Sequence, residues 1–358
     1  HPENFLSQAI ETTTGPLGQG IANSVGFAMA EEIQRAKFGK NVIDHYTYVF
    51  AGDGCLMEGV SQEAITLAGR QELSKLIVFW DNNNITIDGK VDLADATNQV
   101  DRFKSSGWHV LEIDGHDPIQ IDLAIIEAKK SNKPTMIACK THIALGSSAQ
   151  DTSKGHGALT DKSLIEETKK VYGWSQDAFF VPTEVKAAWE TIGQKGHEEK
   201  LSWENRFSSL SQKKQSEFLR MYSKEVPEAL NRAINKFKKT ITIDQPKVAT
   251  RKSSEMVLNV INPIMTETIG GSADLSGSNN TKSTDITRCY ENCPPNSDVD
   301  GKCSSKVRIH HTIPVLEKSK FYLQRLTKAF NERTCSMQSK PLDGKLLSLR
   351  IVRSLMED

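Results

Sequence analysis

Two apolar runs that each end in a polar loop constrain this chain more than any other feature. "YTYVFAG" at residues 46–52 reads as a buried strand and passes directly into "DGCLMEG". "KLIVFW" at 75–80 is a second β-rich run and passes into "DNNNITIDG". Between them, "EGVSQEAITLAGRQ" at 58–71 has the length and composition of a helix. Strand, helix and strand with short links make the βαβ unit of a parallel sheet, because a parallel return needs a crossover. "WHVLEI" (108–113), a helix over roughly 117–130 and "TMIAC" (135–139) repeat the alternation. The expected class is therefore α/β, a parallel sheet flanked by helices. Both polar loops leave carboxyl ends of strands, where open α/β sheets bind ligands.

The first loop holds "GDG". Gly52 and Gly54 allow a tight turn and a close backbone approach to a ligand, and Asp53 projects from the strand end. Asn83 leaves the neighbouring strand end after the crossover helix. One carboxylate, one amide oxygen and a nearby backbone carbonyl form an all-oxygen, hard-cation set. Mg²⁺ wants about six oxygens and commonly takes the remainder from phosphates and water. The ligand this implies is a diphosphate bridged to the protein by Mg²⁺. In the alternative reading Asp53 caps the helix starting near Glu58, and Asn82, Asn83 and Asn84 only turn the chain.

Other segments carry weaker signals. "ETTTGPLGQG" (11–20) is a Gly-rich loop opening a helix at 17–38, with Ile21, Val25, Met29 and Ile33 on one face. It lacks the third glycine and the preceding strand of a dinucleotide fingerprint, yet its backbone suits close approach to a flat ring or phosphate. "THIALGSSAQDTSKGHGAL" is a long Gly/Ser loop carrying His156, and such loops in compact domains are often functional. His1 and His156 are candidate acid–base or hydrogen-bonding groups. Arg251 begins a helix and Ser278 lies in a Gly/Ser loop; together they suit a phosphate. Residues 161–238 read as charged and helical, a linker between domains. A new pattern from "ATRKSSEMVLNVINPIM" into "ETIGGSADLSGSNN" reads as helix, short strand and loop.

Composition narrows the function classes. The 358 residues suffice for two domains, and 45 basic against 45 acidic side chains argue against nucleic-acid binding through bulk positive charge. No apolar run approaches 18 residues, so no membrane span is expected. The opening "HPENFL" shows no initiator Met and no signal peptide, and is expected to be a truncated start. Cys55 and Cys139 are isolated, which suits a reducing cytoplasm. Cys289, Cys293, Cys303 and Cys335 crowd the last 70 residues at spacings that fit no standard zinc module.

Taken together, the stretches "HPE…ETTTGPLGQGIAN", "GDGCLMEGVSQEA…LAG", "DNNNITIDG", "GWHVLEIDGHD", "HGAL", "VATRKSSE" and "GGSADLSGSN" resemble transketolase, in order, from His1 to about Ser283. The resemblance implies the thiamine-diphosphate-binding fold, with thiamine diphosphate and Mg²⁺ (or Ca²⁺ or Mn²⁺) as cofactors. Asp53, Asn83 and the backbone carbonyl of Ile85 match the metal ligands. Gly15, Pro16 and Leu17 match the loop against the pyrimidine ring. Gly52 belongs to the same cofactor motif, and Gly54 and Asn83 match diphosphate contacts. Glu58 matches an acid near the subunit interface that communicates with the activating glutamate. His1 and His156 match active-site histidines at cofactor and sugar hydroxyls; Arg251 and Ser278 match the sugar-phosphate clamp, and Asp274 an acid near the donor hydroxyls.

The implied reaction is ketol transfer in the pentose phosphate pathway. The C2–C3 bond of a ketose phosphate breaks, and the two-carbon unit passes to an aldose phosphate, with the cofactor as electron sink. A homodimer in the cytoplasm is implied, with no nucleic-acid or membrane partner. The implied layout is a diphosphate-binding domain over 1–200 lacking its N-terminal part, a helical linker over 201–245 and the start of a pyrimidine-binding domain over 246–285. Residues 286–358 form a non-family tail.

Three departures qualify the resemblance. The family carries roughly a hundred residues before "HPE", with further histidines. "THIALGSSAQ" lacks a glycine and an aromatic near Ala144 and Leu145, and "HGAL" lacks a proline. After "GSNNTKSTD" no Arg-Glu motif with the activating glutamate appears. The isolated chain is therefore expected to be inactive, and its tail to be an altered end without function. Two other readings stand beside this one: a non-catalytic cofactor-binding or dimer-forming fragment, and another thiamine-diphosphate enzyme such as a deoxyxylulose-phosphate synthase or dehydrogenase component. "ETTTGPLGQG" with "GGSADL" argues against the last.

Overall fold

The computed structural model describes Leu6, Ile10 and residues 12–283 apart from 159, 224–225, 266, 268–274 and 282. His1, Asp274 and the tail beyond residue 283 lie outside the described residues, as does most of the short strand expected before "ADLSG". The chain divides into two compact units, residues 1–45 with 212–358, and residues 46–211.

The second unit is built on a four-stranded sheet. Its strands are β1 (Thr47–Gly52), β2 (Leu76–Asn82), β3 (His109–Asp114) and β4 (Thr135–Lys140). All pair in parallel, in the order β1-β2-β4-β3. The helices of this unit are α2 (Asp53–Met57), α3 (Gly59–Arg70), α4 (Gln99–Ser105), α5 (Pro118–Ala128), α6 (Lys162–Val171) and α7 (Thr183–Ser208). The two inner strands are buried along five successive residues each, as a sheet covered on both faces requires. On one face Ile77, Phe79, Ile137 and Cys139 pack with Ala124 and Ala128 of α5. Asp117 starts that helix by accepting hydrogen bonds from the amides of Ile119 (2.9 Å) and Gln120 (3.3 Å), with Pro118 in the first turn.

The expectation that residues 46–52 are buried needs correction. β1 is an edge of this sheet, and Tyr48 and Phe50 are exposed, the latter by 83%. An edge strand has a neighbour on one side only, so Phe50 finds Phe79 (ring centroids 5.2 Å apart) and little else among the described residues.

In the first unit, α1 (Gln19–Phe38) follows Gly18, whose φ of 84° lies in the left-handed region that favours glycine. Ile21, Val25 and Met29 are buried as expected, but Ile33 is only half-buried, and burial extends to Ser24, Glu31, Glu32 and Gln34. A helix enclosed on most sides buries polar groups too, and Arg35 pairs with both Glu31 and Glu32. The same unit contains α8 (Gln212–Tyr222), α9 (Glu228–Asp244), α10 (Thr250–Ile261) and the short α11 (Ser276–Asn279). Phe218 of α8 meets Phe38 edge-on at 5.1 Å, and Lys37 bonds Glu217 at 2.7 Å.

Arg220 forks onto Glu267 at 2.7 and 2.8 Å and also reaches Glu217 at 3.1 Å. The Arg220 hydrogen bond, opposed by burial and aided by Lys37, holds the Glu217 carboxyl at about 2. A depressed carboxyl contributes stability above its unfolded value of about 4.3, and that stability is lost as pH falls toward the folded value. Glu217→Gln is accordingly expected to cost on the order of 1 kcal/mol at pH 7, given the solvent screening at this half-exposed group. In denaturant titrations from pH 7 down to pH 3 the difference from wild type narrows; a constant gap would refute the account. No helix among the described residues is long and apolar enough to cross a membrane.

Candidate cofactor site at the strand carboxyl ends

The carboxyl ends of β1, β2 and β4 lie side by side. The register pairs Gly52 with Asp81, Asp81 with Cys139, and Asn82 with Lys140. Asp53 is the first residue of α2, immediately after β1, and is buried. Its Oδ1 accepts a 2.9 Å hydrogen bond from the indole N–H of Trp80. Its Oδ2 is buried and has no hydrogen-bond partner among the described residues. Burial is the main influence on this carboxyl and pushes its pKa above the ordinary range. The Trp80 N–H and the Asn84 amide oppose the shift, Asp81 adds to it, and Lys140 lowers it. The Asn84 amide stands near the carboxylate without making a well-aligned bond to Oδ2.

The capping alternative fails on this geometry. Neither α2 nor α3 has a side-chain cap; their starts are Gly52 and Glu58. Gly52 itself is extended (φ −88°, ψ 176°), a conformation open to any residue, so the turn does not demand glycine. What glycine provides there is room, because a Cβ would meet nothing within 4 Å. A buried carboxylate oxygen without a partner among the described residues, following a glycine with open space at its Cβ position, suits a cation carrying phosphate oxygens. A buried charge is otherwise costly to leave uncompensated.

The asparagine loop also differs from the sequence reading. Asp81 and Asn82 do not form the turn; both belong to β2. Asp81 is held by the Thr141 hydroxyl and by Asn83 Nδ2 (3.3 Å). The turn is made at Asn84, whose φ of 64° is one that asparagine tolerates. Asn83 Oδ1 accepts from the Ile85 amide at 3.0 Å, and Ile85 bridges antiparallel to Lys90. Asp53 and the start of this loop are thus brought together through Trp80 and Asn84.

The remaining predicted residues fall elsewhere. Glu58 is exposed between α2 and α3. His156 ends an exposed 3-10 turn, Ser153–His156, and its ring makes no hydrogen bond among the described residues. Gly155 is tucked against Ala144 and Ala149, which folds this turn back on the loop after β4. In the first unit, Gly15, Pro16 and Leu17 form an exposed turn before α1. Arg251 lies in the first turn of α10 and is exposed. Ser278 is in the short helix α11, not in a loop. Asn280 donates to Glu255 at 2.9 Å, and Glu255 is one helical turn from Arg251, so the end of α11 sits against the start of α10.

Sequence reasoning missed three groups at the strand ends. Trp80 ends the apolar run "KLIVFW", and nothing local marks its indole. Lys140 closes β4 and faces the field of Asp53. His142 bonds through Nδ1 to both Asp151 oxygens (2.8 and 3.0 Å), while its amide donates to His116 Nε2 (2.9 Å). That bond holds the exposed Asp151 carboxyl below its usual range. Only a His–Asp spacing of nine residues within one loop hinted at this dyad.

The family profile described as "Transketolase, thiamine diphosphate binding domain" matches residues 1–227. The chain belongs to the transketolase family. It is 53% identical over 287 residues to the transketolase of Rhodobacter capsulatus, covering 80% of this chain and 43% of that protein. Transketolase 1 of Escherichia coli strain K12 is 40% identical over 290 residues, with 78% and 44% covered. Among solved structures, the transketolase of Leishmania mexicana superposes with a TM-score of 0.72 at 38% identity, over 80% of this chain and 43% of that one. A Pichia stipitis transketolase in complex with sedoheptulose 7-phosphate gives 0.72 at 41% identity, over 79% and 43%. The chain thus spans less than half the length of these transketolases. The parallel sheet flanked by helices is the fold the resemblance implied, and the matched domain is one that binds thiamine diphosphate.

Proposed function

We propose that this chain supplies the diphosphate-binding half of a cytoplasmic, homodimeric transketolase, which moves a two-carbon ketol unit between sugar phosphates. The observation that carries the reading is the buried Oδ2 of Asp53, which has no hydrogen-bond partner among the described residues. Asp53, Asn83 and the Ile85 carbonyl are the residues that would hold Mg²⁺, and through it the diphosphate. When bound, thiamine diphosphate supplies the electron sink for carbon–carbon cleavage.

The chain's own residues bind and orient. Asp53 and Lys140 set opposite charges at the strand ends, and Gly52 and Gly54 keep the backbone clear. Gly15, Pro16 and Leu17 offer an exposed apolar turn for the pyrimidine ring. Arg251 and Ser278 supply a guanidinium and a hydroxyl for a sugar phosphate, supported by the Asn280–Glu255 bond that joins α11 to α10. His156, whose ring has no hydrogen bond among the described residues, suits a sugar hydroxyl, and His1 and Asp274 take the roles the resemblance implies. Glu58, exposed beyond α2, is available to a second subunit.

Coverage of 43% of the R. capsulatus protein favours a restricted activity for the 358-residue polypeptide by itself. It is expected to bind thiamine diphosphate only with a divalent cation, and to give no turnover in a coupled assay with xylulose 5-phosphate and ribose 5-phosphate. Calorimetric titration with and without chelator checks the first part. Turnover near that of an intact transketolase would sink the second, and metal-independent binding the first.

A further inference from the structure

The loop after β4 is closed on itself by a side-chain pair that the cofactor reading does not use. Resting on the reading of His156 above, we propose that His142 and Asp151 are positioning residues: together they clasp this loop shut and so seat the turn that presents His156.

Several contacts build the clasp. Both oxygens of Asp151 lie within hydrogen-bond reach of His142 Nδ1, at 3.0 and 2.8 Å. An ionised carboxylate only accepts, so Nδ1 carries the proton. The backbone closes the same circuit, the Asp151 amide donating to the Ile143 carbonyl at 3.2 Å. The near end is anchored to the turn after β3. There the His142 amide donates to His116 Nε2 at 2.9 Å, and the two imidazoles stack with centroids 5.7 Å apart and planes at 12°. The middle of the loop is held from the end of α6, where the Tyr172 hydroxyl donates to the Leu145 carbonyl at 2.7 Å.

The clasped loop is strained and supports its neighbour. Ala144 and Asp151 both take left-handed φ values, 51° and 56°. Aspartate tolerates that region and alanine is disfavoured in it. Such conformations persist only where the surrounding contacts over-determine them. Ala144 is also the seat of the next turn. A Cβ on Gly155 would come 2.8 Å from the Ala144 Cβ and 2.9 Å from the Ala149 carbonyl oxygen, so the Ser153–His156 turn rests directly on the clasped loop. The Gly155 amide donates to the Thr152 carbonyl, one residue past Asp151, at 2.9 Å. His156 follows, exposed and with no ring hydrogen bond among the described residues, so the turn beneath it sets its position. The His142 and Asp151 side chains are 47% and 44% exposed, and water screens the pair. Its loss is therefore expected to act locally, making the loop open roughly three- to tenfold more often while the sheet stays as it is.

Hydrogen exchange read by mass spectrometry on the full chain tests the loop, and calorimetric binding of thiamine diphosphate at saturating Mg²⁺ tests the presentation of His156. His142→Phe keeps a flat ring over His116 and the backbone amide but has no Nδ1. Asp151→Gly suits the backbone at a left-handed φ and removes the carboxylate, so a purely conformational role for Asp151 would leave the loop as closed as before. In both variants exchange over residues 141–157 is expected to speed up roughly three- to tenfold, with β2 and β4 unchanged, and cofactor affinity to fall by a similar factor. In a His156→Ala background the same substitutions should change affinity by less than about twofold, because the group they position is gone. Unaltered exchange in both variants overturns the clasp. Faster exchange with the same change of affinity in the two backgrounds overturns the positioning of His156. A wild-type affinity that is absent, or indifferent to His156→Ala, overturns the functional reading of His156 and the positioning role with it, while exchange still judges the clasp.

Discussion

Asp53→Ala removes metal-dependent binding of thiamine diphosphate, with a loss of affinity of about 100-fold or more. The expectation follows from the state of the two carboxylate oxygens. One is bonded to Trp80, and the other is buried with nothing to bond. A residue in that condition burdens the metal-free fold, since burial already pushes its carboxyl toward the neutral form. Stability and binding should therefore separate. Asp53→Asn keeps an oxygen for the Trp80 N–H but removes the charge, and its metal-free unfolding midpoint should be no lower than that of wild type. Its metal-dependent binding should be lost like that of Asp53→Ala. Calorimetry and thermal unfolding on the same preparations check both halves. Unchanged cofactor affinity in a folded Asp53→Ala chain would defeat the assignment.

Gly69→Ala is expected to be the most damaging small substitution in the sheet unit, although helix propensity alone favours it by about 1 kcal/mol. Gly69 is buried near the end of α3. An added Cβ would lie 1.8 Å from the Ser106 carbonyl oxygen, 2.9 Å from its carbon and 3.1 Å from Trp108 Cδ1. None of these can swing aside. Ser106 ends α4, with its amide bonded to the Arg102 and Phe103 carbonyls, and Gly107 follows at a φ of 88°. Trp108 is pinned by its indole bond to the Ile65 carbonyl (2.8 Å) and by edge-on packing with Phe103 at 5.0 Å. Relief requires α3 to move off the turn that leads into β3. The cost is about 3 kcal/mol or more, which outweighs the propensity gain. A urea midpoint equal to or above that of wild type would refute this contact.

The sequence made much of this legible, and for definable reasons. The four strands fall within a residue or two of the apolar runs, most plainly the inner pair β2 and β4, which are apolar along five residues because both faces are covered. Helix α5 falls within the helix expected over roughly 117–130, and the structure adds that Asp117 and Pro118 start it. The candidate site was legible as one cluster because "GDG" and "DNNN" both lie at strand ends, and parallel strands bring their carboxyl ends to one edge. The resemblance to transketolase rested on seven stretches in fixed order, and the family comparisons bear it out.

Other features depend on neighbours that no local pattern names. The same kind of apolar run is buried in β2 and exposed at Tyr48 and Phe50 in β1, and only the strand order separates the two cases. Asn82 reads as a turn residue, yet it closes β2, and Asp81 before it is held by Thr141, sixty positions later. Gly69 reads as a tolerated helix glycine until the Ser106 carbonyl is seen beneath it.

By itself, then, the sequence determined the α/β alternation, the edge proposed for a ligand and the candidate acid, Asp53. These follow from periodicity and chain connectivity, which are local. Only the tertiary structure decided which oxygen of Asp53 is bare and that Trp80 holds the other. Hydrogen bonding of a buried carboxylate is settled by strand register and by the small residues flanking a large one, and those meet only when the sheet is assembled.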